Sequence, residues 1–365
     1  MRAALLSAIP GQFDIGEVSI DKPMSHEVLL RTVGSGLCHS DLSLIDGPFA
    51  AGFGGGGGAV LGHEAAGVVE AVGAEVSYVR PGDHVIAFPA QFCGRCELCL
   101  RGMPALCTDS PGPRHRDDPP RLTRKGQPVV ALANLGAFAE EMLVHENAVV
   151  KIDPDYPFDR AAIIGCGVAT GLGAVINTAA VRAGSSVAVV GLGGVGLSVV
   201  QGAFISGARQ IIAVDTQSSR FDLATTLGAT DCVDASSADP VAAVQELSGG
   251  GVDYSFEAIG VKSTIEQCVL MLRRAGTATI VGYGRGQKVE LDAGLFMDER
   301  RVQGCMMGST RFRIDLPHYI AFDLAGRLNL EALIESHITL DDVNEGYDAM
   351  RRRAITGRRV IMFPQ

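Results

Sequence analysis

SVAVVGLGGVG, residues 186–196, decides the fold. An apolar run meets three glycines spaced G-x-G-x-x-G, at Gly191, Gly193 and Gly196, and an apolar helical pattern follows over 195–206. Alone the spacing is weak; between a strand and a helix it describes a phosphate cradle. The first glycine makes the tight turn, and the second lets backbone approach a pyrophosphate. The third lets helix and strand pack closely, and the positive helix end at Gly194 favours the negative charge. Downstream, QIIAVD ends in Asp215, placed to accept from ribose hydroxyls. A carboxylate there repels a 2′-phosphate, so NAD is favoured over NADP, with Arg220 as the one nearby cation that softens this preference.

Outward from this stretch, strands are expected at 210–215, 231–234, 252–258 and 277–281, with helices at 219–227, 240–247 and 263–272. Such alternation predicts an α/β, doubly wound parallel sheet. Upstream, 27–33 (EVLLRTV), 66–72 and 83–88 read as short strands separated by turns. Residues 109–127, rich in Pro, Arg and Asp, are expected to form a loop. Five glycines at 54–58 read as a surface insertion or as a mobile flap beside a site.

The chain has 365 residues, two domains' worth at roughly 150 per domain. Its hydrophobic share of 47% allows a large core. A net charge of −10 and the absence of Trp argue against a nucleic-acid partner. No stretch is expected to reach the roughly 20 apolar residues of a membrane span. Residues 1–10 lack a signal-peptide cleavage site, so a cytoplasmic, reducing setting is expected.

Four of the nine cysteines crowd together as C-x2-C-x2-C-x7-C: Cys93, Cys96, Cys99 and Cys107. Four thiolates close a tetrahedron around one Zn²⁺ and leave no position for substrate, so this site reads as structural. An iron–sulfur cluster is the competing reading. Three further segments carry metal-ligating side chains: GLCHSD at 36–41, GHEAAG at 62–67 and GCGVATG at 165–171.

With those segments in this order, the chain resembles the zinc-dependent medium-chain alcohol dehydrogenases over nearly its whole length, class III-like and bacterial nicotinoprotein-like members included. The resemblance implies a GroES-like, mainly β catalytic domain at 1–167, with its zinc loop at 93–107. A Rossmann NAD-binding domain follows at 168–307, and 308–365 returns to the catalytic domain. It implies two zinc ions per chain, the catalytic one held by Cys38, His63 and Cys166. Glu64 approaches that zinc, Asp41 orients the ligating histidine, and Ser40 is the first proton acceptor. Thr170 lies near the nicotinamide, Val195 against the cofactor and Arg359 near the pyrophosphate, and His39 stands where many members bind a cofactor phosphate with arginine. Relatives form dimers or tetramers, so a homo-oligomer is expected.

Three protein ligands leave one zinc position for an alcohol oxygen, whose pKa the Lewis acid lowers; NAD takes the hydride. The expected substrates are thus primary or secondary alcohols and the matching aldehydes or ketones. Alternatives are a nicotinoprotein with tightly bound NAD, a thiol-adduct formaldehyde dehydrogenase and, least favoured, a non-enzymatic binding protein. Some members carry a relay histidine where this chain has Ser43. Pro89 stands near the place of a bulky pocket aromatic, which predicts a pocket for bulky or aromatic alcohols. Cys232, Cys268, Cys305, His84, His145, His318 and His337 are read as structural.

Overall fold

The computed structural model describes residues 1–47, 56–284 and 286–364. They fall into two compact units. One comprises Met1–Cys166, Arg311–His318 and Ile334–Gln365, and the other Gly167–Thr310 and Tyr319–Leu333. The returning segment expected at 308–365 is therefore split, because Tyr319–Leu333 packs within the second unit.

The second unit is built on six strands in the order Asp231–Asp234, Gln210–Asp215, Ser186–Val190, Val252–Glu257, Leu272–Ile280 and Arg301–Gly304. Each neighbouring pair is parallel. In chain order this is 3-2-1-4-5-6, with the order reversing between Ser186–Val190 and Val252–Glu257, where open α/β sheets bind ligands. The central strand shows no in–out alternation: all of Ser186–Val190 is buried, as a parallel strand covered on both faces requires. The edge strand Arg301–Gly304 was not legible, since RVQG carries neither an apolar run nor alternation.

The first unit is mainly β. Its largest sheet runs Val149–Lys151, His84–Ala87, Ala65–Val72, Glu27–Gly36, Arg358–Met362 and Ile334–Ile338, with Glu141–His145 also pairing Glu27–Gly36. A four-stranded sheet joins Val130–Ala131, Ala59–Val60, Arg2–Leu6 and Phe13–Glu17. Leu5, Leu37, Ile45, Phe138 and Tyr347 share a core beside it.

Two expectations need correction. Residues 109–127 are not only loop: Leu122–Arg124 pairs with both Ser19–Ile20 and Gln127–Pro128. Arg114 and Arg121 anchor the stretch by both donating to the buried Glu27 carboxylate. Second, one helix among the described residues, Phe158–Thr178, is long and apolar enough to cross a membrane. Its apolar window is 83% buried in protein, so core packing accounts for its composition. Of the five-glycine run, Gly54 and Gly55 lie outside the described residues. Gly57 donates to Pro128 O (3.2 Å) and Gly58 O accepts from Val130 N (3.0 Å), so this part is tied to its neighbours.

Candidate metal and cofactor sites

Cys38 sits where strand Glu27–Gly36 gives way to helix His39–Asp46, as the extended residue capping that helix. His63 and Glu64 occupy the turn before Ala65–Val72. Gly62 enters that turn at φ +85°, where a Cβ would also strike the Phe138 ring at 2.6 Å. Cys166 lies in a π-helical turn, Ile164–Val168, within the long helix; such turns recur at functional sites because they re-aim a side chain. Gly165 brings that turn against strand His84–Ala87, since a Cβ there would meet Ala87 O at 2.5 Å.

The result is a buried group of donor atoms from Cys38, His63, Glu64 and Cys166, all within 4.8 Å of one another. His63 Nδ1 lies 3.2 Å from Asp41 Oδ1, which also accepts from Gly62 N (3.1 Å). The imidazole is thereby oriented with Nε2 toward the group, as a metal ligand needs. Ser40 Oγ lies 2.9 Å from Cys38 Sγ and 3.4 Å from His63 Nε2. A hydrogen bond from Cys166 holds Cys38 well below the usual thiol range and leaves the Cys166 thiol well above it. Two soft sulfur donors and one imidazole suit zinc and leave a fourth position open.

Glu64 is fully buried and ion-paired with buried Arg358. Burial pushes its carboxyl up to about 7 against the pull of that cation. Gly36 makes room for it: a Cβ there would meet Glu64 Oε2 at 2.5 Å.

The four cysteines of the second group are also within 4.8 Å of one another. Cys93 and Cys99 sulfurs are 4.0 Å apart, Cys96 and Cys107 sulfurs 3.8 Å. A tetrahedron with Zn–S of about 2.3 Å has edges of roughly 3.8 Å. A polynuclear iron cluster interposes its own atoms and holds thiolates farther apart, so the spacing favours one ion. Backbone N–H groups of Arg95 and Cys96 point at Cys93 Sγ (3.4 and 3.2 Å). Cys96 is held at about 5 by backbone amides, while burial pushes Cys99 up to about 12. A divalent cation held by these four thiolates would resolve that conflict by stabilising them together.

In the second unit the glycines divide their labour as their spacing implies. Gly191 turns at φ +94°, and a Cβ on Gly196 would lie 1.7 Å from Gly191 O. Gly193, the cap of helix Gly194–Ile205, has nothing within 4 Å of its Cβ position, which leaves an open approach to the helix end. Asp215 Oδ2 accepts from Leu192 N (2.7 Å) and from Arg220 (3.2 Å), so the carboxylate at the strand tip is keyed to the glycine turn.

The remaining expected residues are placed as follows. Asp41 is fully buried, whereas His39 and Ser40 are exposed on the first helical turn. Val195 is half-buried behind Gly194, and Thr170 Oγ1 lies 3.8 Å from Met307 Sδ. Ser43 spends its hydroxyl on His39 O (3.1 Å). The Arg359 guanidinium pairs with Glu345 (2.7 Å) and Glu335 (3.8 Å). Pleating puts Arg358 and Val360 on the buried side of strand Arg358–Met362 and Arg359 on the other. Arg358 is thus the arginine at the metal group, and nothing in RRVIM sets it apart from its neighbour.

Comparison with known proteins agrees with this geometry. The profile for an alcohol dehydrogenase GroES-like domain matches residues 24–154, and that for a zinc-binding dehydrogenase matches 194–322. An alcohol dehydrogenase zinc-binding domain protein from Burkholderia ambifaria is 34% identical, with TM-score 0.93 over 100% of this chain and 99% of its own. Benzyl alcohol dehydrogenase from Acinetobacter calcoaceticus is 31% identical, with TM-score 0.92 over 100% and 99%. A structure from Sinorhizobium meliloti 1021, solved as a zinc-binding dehydrogenase bound to NADP, is 26% identical, with TM-score 0.80 over 99% of each chain.

The doubly wound nucleotide fold, the GroES-like unit and the metal-ligating groups define a zinc-binding oxidoreductase that uses a pyridine nucleotide. Within that class, the chain belongs to the zinc-dependent medium-chain alcohol dehydrogenase family.

Proposed function

We propose that this chain is a zinc- and NAD-dependent alcohol dehydrogenase, moving hydride between a primary or secondary alcohol and NAD to give an aldehyde or ketone. The observation that carries the reading is the convergence of Cys38, His63 and Cys166 from three separate segments into one buried group. Zinc held there would supply a Lewis acid for the substrate oxygen, and NAD the hydride acceptor. Asp41 fixes the imidazole of His63. Ser40, beside the group and exposed, takes the alcohol proton and hands it to water, since the Ser43 hydroxyl already donates to His39 O. The four-cysteine group would hold a second, structural zinc.

NAD over NADP is supported by Asp215, whose carboxylate is held at the glycine turn. Bulky or aromatic alcohols are supported by Pro89 and by the similarity to a benzyl alcohol dehydrogenase. The exposed Val302 and Met306 at edge strand Arg301–Gly304 support pairing with a second copy. Nine unpaired cysteines support a cytoplasmic setting.

The test combines NADH formation with metal analysis. Benzylic alcohol is expected to exceed ethanol in kcat/KM, and wild type to hold two zinc ions. Cys38→Ser and Cys96→Ser are each expected to lose one, with Cys38→Ser folded but inactive. Silence with primary, secondary and aromatic alcohols alike, or full zinc content in Cys38→Ser, would refute the reading.

A further inference from the structure

Met307, Gly308 and Ser309 follow one another at φ +49°, +68° and +48°. Methionine and serine carry a Cβ and hold this left-handed conformation only where their surroundings impose it, as happens at ligand clamps. Gly308 is required between them, since a Cβ there would lie 2.3 Å from Ala169 O. The turn stands just past edge strand Arg301–Gly304, at the carboxyl end of the sheet, outside which open α/β sheets bind their ligands. The glycine cradle and Asp215 belong to the half of the sheet formed by Ser186–Val190, Gln210–Asp215 and Asp231–Asp234. A dinucleotide seated there directs its nicotinamide toward the other half, Val252–Glu257, Leu272–Ile280 and Arg301–Gly304.

The end of helix Phe158–Thr178 holds the turn in place. Thr178 Oγ1 lies 2.8 Å from Ser309 Oγ and 3.3 Å from Cys305 Sγ, so one hydroxyl ties together the residues on either side of Met307 and Gly308. Thr178 O in turn accepts from Gln303 Nε2 on the edge strand (3.2 Å). Asn177 Nδ2 donates to Gly308 O (3.4 Å), and Thr310 Oγ1 to Ala169 O (3.2 Å). Valine would fill the space of Thr178 and make neither hydroxyl bond.

We propose that Thr178 is a positioning residue for the nicotinamide half of the bound dinucleotide: its hydroxyl joins Ser309 to Cys305 and so keeps the left-handed turn Met307–Ser309 in the arrangement that receives the cofactor. The proposal rests on reading this unit as the NAD site.

Wild type, Thr178→Val and Thr178→Ser would be titrated calorimetrically with NADH and with ADP-ribose, which carries the adenosine and the pyrophosphate but lacks the nicotinamide. If the turn of Thr178→Val is competent only a tenth of the time, its Kd for NADH rises about tenfold, while its affinity for ADP-ribose stays as in wild type. Thr178→Ser keeps the hydroxyl and should bind NADH as wild type does. Ser309→Gly removes the partner hydroxyl without adding backbone strain and should separate the two ligands as Thr178→Val does. Unchanged NADH affinity in Thr178→Val, equal weakening of both ligands, or a loss in Thr178→Ser as large as in Thr178→Val would overturn the proposal, whatever happens to the thermal midpoint. A wild type that binds neither compound would overturn the NAD reading itself, and this proposal with it.

Discussion

Glu64 and Arg358, 294 positions apart, form a buried ion pair at the edge of the Cys38–His63–Cys166 group. Neither charge would be tolerated there alone. Arg358→Met should therefore destabilise the zinc-free protein by about 3–5 kcal/mol near neutral pH, because it strands a buried carboxylate. Glu64→Gln in the same chain should restore much of that loss. Denaturant unfolding of the two singles and the double measures the coupling; additive effects would refute it.

Gly193 and Gly196 separate binding from folding. A methyl group at Gly193 meets nothing within 4 Å, whereas one at Gly196 would lie 1.7 Å from Gly191 O. Gly193→Ala should keep the wild-type thermal midpoint and weaken NAD binding, since the added methyl occupies the pyrophosphate approach. Gly196→Ala should lower the midpoint as well. Calorimetric titration with NAD beside thermal unfolding tests both, and unchanged NAD affinity in Gly193→Ala would count against the cradle.

The proposed preference for NAD rests on the charge of Asp215. Asp215→Ser removes the group that repels a 2′-phosphate and ends its pairing with Arg220. The kcat/KM ratio of NADP to NAD should rise about tenfold or more, equivalent to about 1.4 kcal/mol of discrimination. A ratio that does not move would place the preference elsewhere.

His145 gives stability an acid limb. Burial, with His26 beside it, holds its pKa below the usual value, and neutral Nδ1 accepts from Asn147 N (3.0 Å). The unfolded chain, with a histidine pKa of about 6.5, thus binds the proton more readily than the folded one. Its contribution is present above about pH 6.5 and is lost as pH falls from there through the depressed folded value. His145→Asn can still accept from Asn147 N and does not titrate, so its stability should fall less steeply across that window. Identical pH–stability curves would show that His145 plays no part.

The doubly wound unit was legible because its signals are local. Strands Ser186–Val190, Gln210–Asp215 and Asp231–Asp234 have the bounds their apolar runs suggest. The cysteine cluster was legible for the same reason, since its four sulfurs lie within one short turn-rich segment. Features that depend on distant partners were not. The apolar helix Phe158–Thr178 differs from a membrane span only in what surrounds it. Arg358 and Arg359 are adjacent and chemically alike, and only the pleat of their strand sends one to Glu64 and the other to Glu345.

By itself, then, the sequence determined the nucleotide cradle, the four-cysteine group and the residue types able to hold a second metal, because spacing along a chain fixes local geometry. Tertiary structure alone decided which arginine reaches Glu64 and that a π-turn aims Cys166. Those outcomes depend on which faces of separate elements are pressed together and shielded from water, and that follows from packing of the whole unit.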